Sequence, residues 1–372
     1  MKKAIVVILM LGLIITLIGN SVGMGQKTLR TPQTNVSTTT IVDTEQELEE
    51  YVPKIIIEAK WGTKPGEFGI LKYKYRSVGP SAIAINEEGD IFVADPVNYR
   101  IQVFNRNGEF KKEIKLIINL LEEEKPNTRI DLAVDKKNNV FCEWGIIKNG
   151  CFIEDRIQKY SFDGKLLKEW DAQREIYPKR KIPLSESVFK VTPWGEVYLL
   201  GIYNEKTYRI ISFEDCNIVN WGEGSVGLDG YRFKDFVGDM PKDTLTVIDK
   251  QGNKKELSIP LIDKFVRKKE EYKKYTLWEI KYLNMDRAGY LYTISNYSTY
   301  TLGKITKIYK ETKIVTKSTL AGKVISQIEF SPDYLEGLDI FIIIVDFKGN
   351  IYEIKCRKES GVKIIRWEIN KK

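Results

Sequence analysis

From about Tyr51 onward, apolar and polar residues alternate in short runs, and Gly, Asn and Asp interrupt the runs at close intervals. Period-two alternation predicts strands with one buried face, and the interruptions predict tight turns. Hardly any stretch carries a long helical pattern. Residues 80–116 show the plan most clearly. Strand 82–85 is followed by turn 87–90, strand 91–94, loop 95–99, strand 100–104, turn 105–108 and strand 110–116. The same steps recur at 132–144 and again at 188–200. Weaker copies lie at 278–295 and 339–356, and a more eroded one, with an unclear first strand, at 231–258.

Evenly spaced strands of this kind signal a repeat architecture. The third strand of the first three units reads Arg-Ile-x-x-aromatic or a close variant, beginning at Arg100, Arg156 and Arg209, at spacings of 156 − 100 = 56 and 209 − 156 = 53. Trp61, Trp170, Trp221 and Trp367 are read as markers of fourth-strand ends, and 367 − 61 = 306 is six steps of 51. The expected fold is all-β, a six-bladed β-propeller of four-stranded antiparallel blades over residues 51–370. A four-stranded unit cannot bury its own faces, so radial stacking covers the faces and leaves only short edges. Closure requires the chain ends to meet, and strand 54–61 is expected to pair with strand 362–369.

The residues Trp61-Gly62-Thr63-Lys64-Pro65-Gly66-Glu67-Phe68, then Ile83-Ala84-Ile85-Asn86, Gly89-Asp90-Ile91-Phe92-Val93-Ala94-Asp95 and Asn98-Tyr99-Arg100-Ile101-Gln102-Val103-Phe104, resemble the NHL-repeat family of six-bladed propellers. The resemblance implies a ring whose loops on one face bind protein, nucleic acid or small ligands. It implies no single activity, because propellers host many.

Residues 1–23 have another character. Lys2 and Lys3 precede an unbroken apolar run from Ala4 to Ile18, and small and polar residues follow. This is the plan of a signal peptide, with an uncleaved N-terminal membrane anchor as the alternative. Residues 24–50 read as a flexible polar linker. The expected location is therefore extracytoplasmic, secreted or held at the membrane by the N-terminal segment. Export would permit a Cys142–Cys151 disulfide, but buried free thiols fit as well.

The chain contains no histidine. Ser-His-Asp and Cys-His catalysis and imidazole metal sites are thereby excluded. The expected function is a binding or scaffold propeller that presents a loop-lined face and central channel to another protein or a cell-envelope ligand, without catalysis or cofactor. The alternative is a divalent-metal hydrolase, lactonase- or esterase-like, using Asp, Glu and Asn of the channel, with calcium the natural ion. Fifty-nine basic residues against 51 acidic ones give a net charge of only +8, so nucleic acid is not the expected partner. Asn98, Tyr99, Trp144, Tyr203 and Asn296 are the candidate ligand contacts, placed in or beside loops between second and third strands. Asp95, Asn98 and Arg100 also suit a structural role, since Arg100 recurs in each of the clearest units. The basic runs 264–275 and 179–181 read as a connector and a loop.

Overall fold

The computed structural model describes residues 48–370, apart from 73–76, 119–123, 127–129, 149–150, 172–187, 193–194, 205–206, 213–218, 223–224, 227–231, 235–243, 260–274, 300–310, 331–340 and 358. The N-terminal apolar segment, most of the polar linker, the 179–181 run and all but the last residue of the 264–275 run lie outside the described residues. Among the described residues there is no α-helix.

In chain order the strands are β1 (Tyr51–Ala59), β2 (Leu71–Lys72), β3 (Ser77–Val78), β4 (Ala82–Ile85), β5 (Ile91–Asp95), β6 (Arg100–Phe104), β7 (Phe110–Lys115), β8 (Glu124–Pro126) and β9 (Asp131–Val134). They continue with β10 (Val140–Lys148), β11 (Cys151–Tyr160), β12 (Leu166–Asp171), β13 (Val188–Val191), β14 (Val197–Asn204), β15 (Thr207–Ser212), β16 (Val219–Gly222), β17 (Ser225–Val226) and β18 (Arg232–Lys234). The last are β19 (Thr244–Ile248), β20 (Lys254–Ser258), β21 (Tyr275–Met285), β22 (Leu291–Thr299), β23 (Glu311–Ser318), β24 (Val324–Phe330), β25 (Phe341–Val345), β26 (Ile351–Arg357) and β27 (Gly361–Ile369).

Pairing is antiparallel throughout. Four sheets are plain meanders in chain order: β4–β7, β13–β16, β17–β20 and β21–β24. A further sheet runs β12-β11-β10-β8, with β9 also paired to β10. Another runs β1-β27-β26-β25, so the earliest strand completes the last sheet. The hairpin β2–β3 stands apart. First strands touch from sheet to sheet: β9 contacts β4 and β13, and β25 contacts β4 and β21. Sheets whose first strands meet this way are arranged about an axis, and the molecule is an all-β propeller with these sheets as blades.

Its core is divided among the seams. In β4, Ala82 and Ala84 pack toward Leu132, Val134 and Cys142 of the following sheet, while Ile83 and Ile85 pack toward Ile57, Ile354 and Ile364 of the closing sheet. Strict alternation sends successive side chains to opposite seams, so first strands are apolar on both faces. A third seam joins Tyr292 and Val315 to Ile343 and Ile351. A fourth joins Phe233 and Leu245 to Tyr282 and Leu291.

The closing strand shows how local irregularity serves the ring. β1 pairs with β27 from Tyr51↔Ile369 to Ala59↔Val362, with a bulge between Ile55 and Ile57. The extra residue lets Ile56 and Ile57 both turn inward, where pure alternation would expose one. Gly108, at φ +88, lies against this strand, and a side chain there would collide with the Ile56 carbonyl. The Tyr51 hydroxyl donates to the Gly349 carbonyl at 3.0 Å. Trp367 lies within β27, third in its sheet, so it is not a fourth-strand marker. The span from Trp61 to Trp367 therefore does not measure blades.

The fourth seam carries an imperfection. Thr293 Oγ1 is fully buried and has no hydrogen-bond partner. A buried hydroxyl without a partner costs about 1–3 kcal/mol. Thr293→Val keeps the β-branched shape and is expected to raise stability by about 1 kcal/mol, read as a higher denaturant midpoint at constant m-value. A lower midpoint would mean that the hydroxyl is satisfied in solution.

Candidate binding rim

The two ends of the propeller differ. At one end the turns between first and second strands are built by side chains that accept main-chain N–H groups. Asp135 Oδ1 accepts from Lys137 and Asn139, Asp286 Oδ1 from Ala288 and Tyr290, and Asp346 Oδ1 from Lys348 and Asn350. Burial raises the Asp346 carboxyl above the ordinary aspartate range even so. These turns also bond to one another. Asn86 Nδ2 donates to Asn138 Oδ1 at 3.0 Å, Lys136 N to Gly195 O at 2.7 Å, and Arg287 N to Phe347 O at 3.0 Å. Arg287 forms an ion pair with Glu87 at 2.5 Å, joining the β21–β24 sheet to the β4–β7 sheet past the closing sheet that lies between them. Such a bond is possible only close to the axis. Deeper in, Lys190 of β13 donates to the carbonyls of Tyr282 and Leu283 in β21, at 3.0 and 3.3 Å. This end is knitted shut by its own turns.

The opposite end carries the loops between second and third strands. In the β4–β7 sheet that loop is a 3-10 turn, Pro96–Asn98, closed by Tyr99. Beneath it Arg100 is held in a buried network. Its Nε donates to Asp95 Oδ2 at 3.0 Å, and its Nη1 donates to Glu113 Oε2 at 2.8 Å and to the Thr63 carbonyl at 2.9 Å. Its Nη2 donates to the carbonyls of Lys64 and Glu67. Gln102 Nε2 also donates to Glu67 O, and its Oε1 accepts from Gly66 N. Gly69 N donates to Asp95 Oδ1. The network pins segment 62–69, which follows β1, onto the next blade. It recurs in the β9–β12 sheet, where Arg156 and Gln158 both bond Glu169, and Gln158 reaches the Ile117 carbonyl. A polar set repeated from sheet to sheet is structural.

The predicted contacts separate accordingly. Asn98 is half-buried, and its amide donates to Gly62 O and Asp95 Oδ2, so it braces the latch. Tyr99 is 45% exposed at φ +52. A bulky residue held in the left-handed region costs about 1–3 kcal/mol, and such strain concentrates at functional positions. Trp144 lies within β10 and is 3% exposed, packed with Val140, Cys142 and Tyr160 in the seam toward β4–β7. It is paired with Arg156, as Asp95 is with Arg100, and its indole N–H has no partner. Tyr203 falls in β14, and its side chain lies outside the described residues. Asn296 is half-buried in β22, opposite Lys313. Only Asn98 and Tyr99 share a turn; the others sit on different sheets. Sequence reasoning missed Leu71 and Ile117, which are 40% and 45% exposed at the same end as Tyr99. The Leu116 N–H donates to the Tyr99 carbonyl, which sets Ile117 beside that ring's turn.

The thiols and carboxylates add little chemistry. Cys142 opposes Gln158 whereas Cys151 opposes Lys148, six positions further along the hairpin. Cys142 is a free thiol, so the disulfide does not form. Burial raises the Cys142 thiol and pushes Cys356 up to about 12, which keeps both protonated at neutral pH. Among the described residues, no three Asp, Glu or Cys side chains gather as a metal site.

Fold and rim together define a β-propeller protein. No family model matches the chain. It is similar over 48 residues, at 50% identity, to the B-box type zinc finger protein ncl-1 of Caenorhabditis elegans, a match covering 13% of this chain and 5% of that one. Over 64 residues it is 41% identical to Protein brain tumor of Drosophila melanogaster, covering 16% of this chain and 6% of that one. The chain thus spans about a twentieth of the length of these relatives. Among solved structures, virginiamycin B lyase from Staphylococcus aureus aligns with a TM-score of 0.41 and 13% identity, covering 86% of this chain and all of that one. A member of the duf4221 family from Bacteroides vulgatus aligns with a TM-score of 0.48 and 11% identity, covering 87% and 99%.

Proposed function

We propose that the chain is an extracytoplasmic binding propeller, secreted or tethered by its N-terminal segment, that presents the rim between second and third strands to a protein or cell-envelope ligand. The observation that carries this reading is the asymmetry of the ends. One is knitted shut by Asn86, Lys136, Arg287 and Glu87, and the other exposes Tyr99 in a strained conformation. Six blades of NHL type are part of the proposal. Four plain meanders, the closing sheet and the β9–β12 sheet support that count, and the residues around Trp61 to Phe104 support the family. Among the described residues no helix is long and apolar enough to cross a membrane, so a tether would have to come from the N-terminal run.

The test is photo-crosslinking in intact cells. A photoreactive residue replaces Tyr99 in one version of the full chain and Lys137, on the closed end, in another. The proposal expects a discrete adduct from position 99 and none from 137. Adducts from 137 alone, or from neither, would overturn it.

A further inference from the structure

The rim around Tyr99 has a definite chemistry. Tyr99, Ile117 and Leu71 are three large apolar side chains left open to solvent at one end of the β4–β7 sheet. Two bonds and one packing contact bring them into one neighbourhood. Leu116 N donates to Tyr99 O, placing Ile117 next to the turn. Gly69 N is held by Asp95, and the bare face of Gly69 packs on Val97 and Asn98, so Leu71 follows two residues beyond that contact. Scattered exposed apolar residues are ordinary, but a cluster with a strained aromatic at its centre marks an interaction surface.

Charge around this cluster is one-sided. Lys64, Lys72 and Lys115 are all exposed there. None of the three has an ion pair, whereas the local acids are engaged: Asp95 and Glu113 by Arg100, and Glu67 by the Lys64 N–H. The acids therefore neutralise the buried guanidinium and the loop backbone, and the lysines are left to face solvent. An apolar centre inside an uncompensated basic rim fits a ligand that is apolar at one point and anionic on either side.

We infer that this surface docks an acidic segment of a partner protein, anchored by an apolar side chain laid against Tyr99, Ile117 and Leu71. The inference rests on the binding reading above and specifies its partner. A simple polyanion would satisfy the lysines but would leave the apolar centre without use, so a peptide is the better fit.

The full chain is titrated with three fluorescent probes: an acidic peptide with one central leucine, the same peptide with serine at that place, and inorganic polyphosphate of matched charge. The leucine peptide is expected to bind at least about ten-fold more tightly than the serine peptide. Tyr99→Gly removes the ring and suits the left-handed backbone, so it should fold; it is expected to abolish that preference. Lys64→Glu, Lys72→Glu and Lys115→Glu together are expected to abolish binding of both peptides, while Lys137→Glu on the closed end changes nothing. Equal binding of the leucine and serine peptides, polyphosphate binding that matches the leucine peptide, or indifference to Tyr99→Gly would overturn the inference. If those results came with an intact cross-link at position 99 in cells, the binding reading would stand and only the partner's chemistry would fall.

Discussion

Replacing Arg100 with alanine is expected to destabilise the propeller by about 3–5 kcal/mol, the range seen when one member of a buried ion pair is removed. Arg100 and Asp95 are both almost wholly buried, and the guanidinium makes five polar contacts, three of them to main-chain carbonyls of segment 63–67. Alanine would leave Asp95 charged with no counter-charge and would free the segment that follows the closing strand. Two companion variants separate these effects. Arg100→Lys keeps the charge but not the planar fork, so it should fall between wild type and alanine. Arg100→Ala combined with Asp95→Ala should lose less than Arg100→Ala alone, because no buried charge is then stranded. Denaturant unfolding of the full chain measures all three. An Arg100→Ala variant within about 0.5 kcal/mol of wild type, the range of ordinary surface substitutions, would show that the latch holds nothing.

That network illustrates what a sequence discloses. The recurrence of Arg100, Arg156 and Arg209 in third strands was legible and pointed to structure rather than catalysis. Its partners were not. Gln102 and Gln158 stand two residues after their arginines and were available as a signal, but Glu113, Glu67 and the carbonyls of Thr63 and Lys64 reach Arg100 only through strand register and loop path. Alternation located most strands to within a few residues, because side-chain period is a local property. Trp144 went astray for the same kind of reason. Its place near a predicted loop suggested a rim, but the β10–β11 hairpin runs on to Lys148 and Cys151, so the tryptophan sits within the sheet and in a seam. Trp367 misled because a tryptophan in a third strand looks, in sequence, like one in a fourth. The asymmetry of the two ends was invisible, since it depends on turns far apart in the chain meeting near one axis, as Glu87 and Arg287 do.

Deleting residues 51–59 from the full chain is expected to abolish cooperative folding. The strand contributes Ile56, Ile57 and Ala59 to the seam beside β4, the ladder to β27, and the Tyr51 hydroxyl bonds. Burying two isoleucines is worth about 1.5–3 kcal/mol each, and the ladder adds to that, against a typical net stability of about 5–15 kcal/mol. The loss also bares β27 as an unpaired edge, open to association with other chains. In the intact protein β1 occupies that edge itself, with Pro53, Lys54 and Glu58 to discourage further pairing. A peptide of residues 48–61 added to the shortened chain should restore part of the transition if strand exchange into a waiting slot is the mechanism. Point variants sharpen the test. Ile57→Asp places a charge at a 4% exposed site and should cost several kcal/mol, whereas Ile55→Asp at a 51% exposed site two residues away should stay within about 0.5 kcal/mol of wild type. Thermal unfolding distinguishes them, and equal effects at the two positions would mean that β1 does not sit in the ring with this bulge and this register.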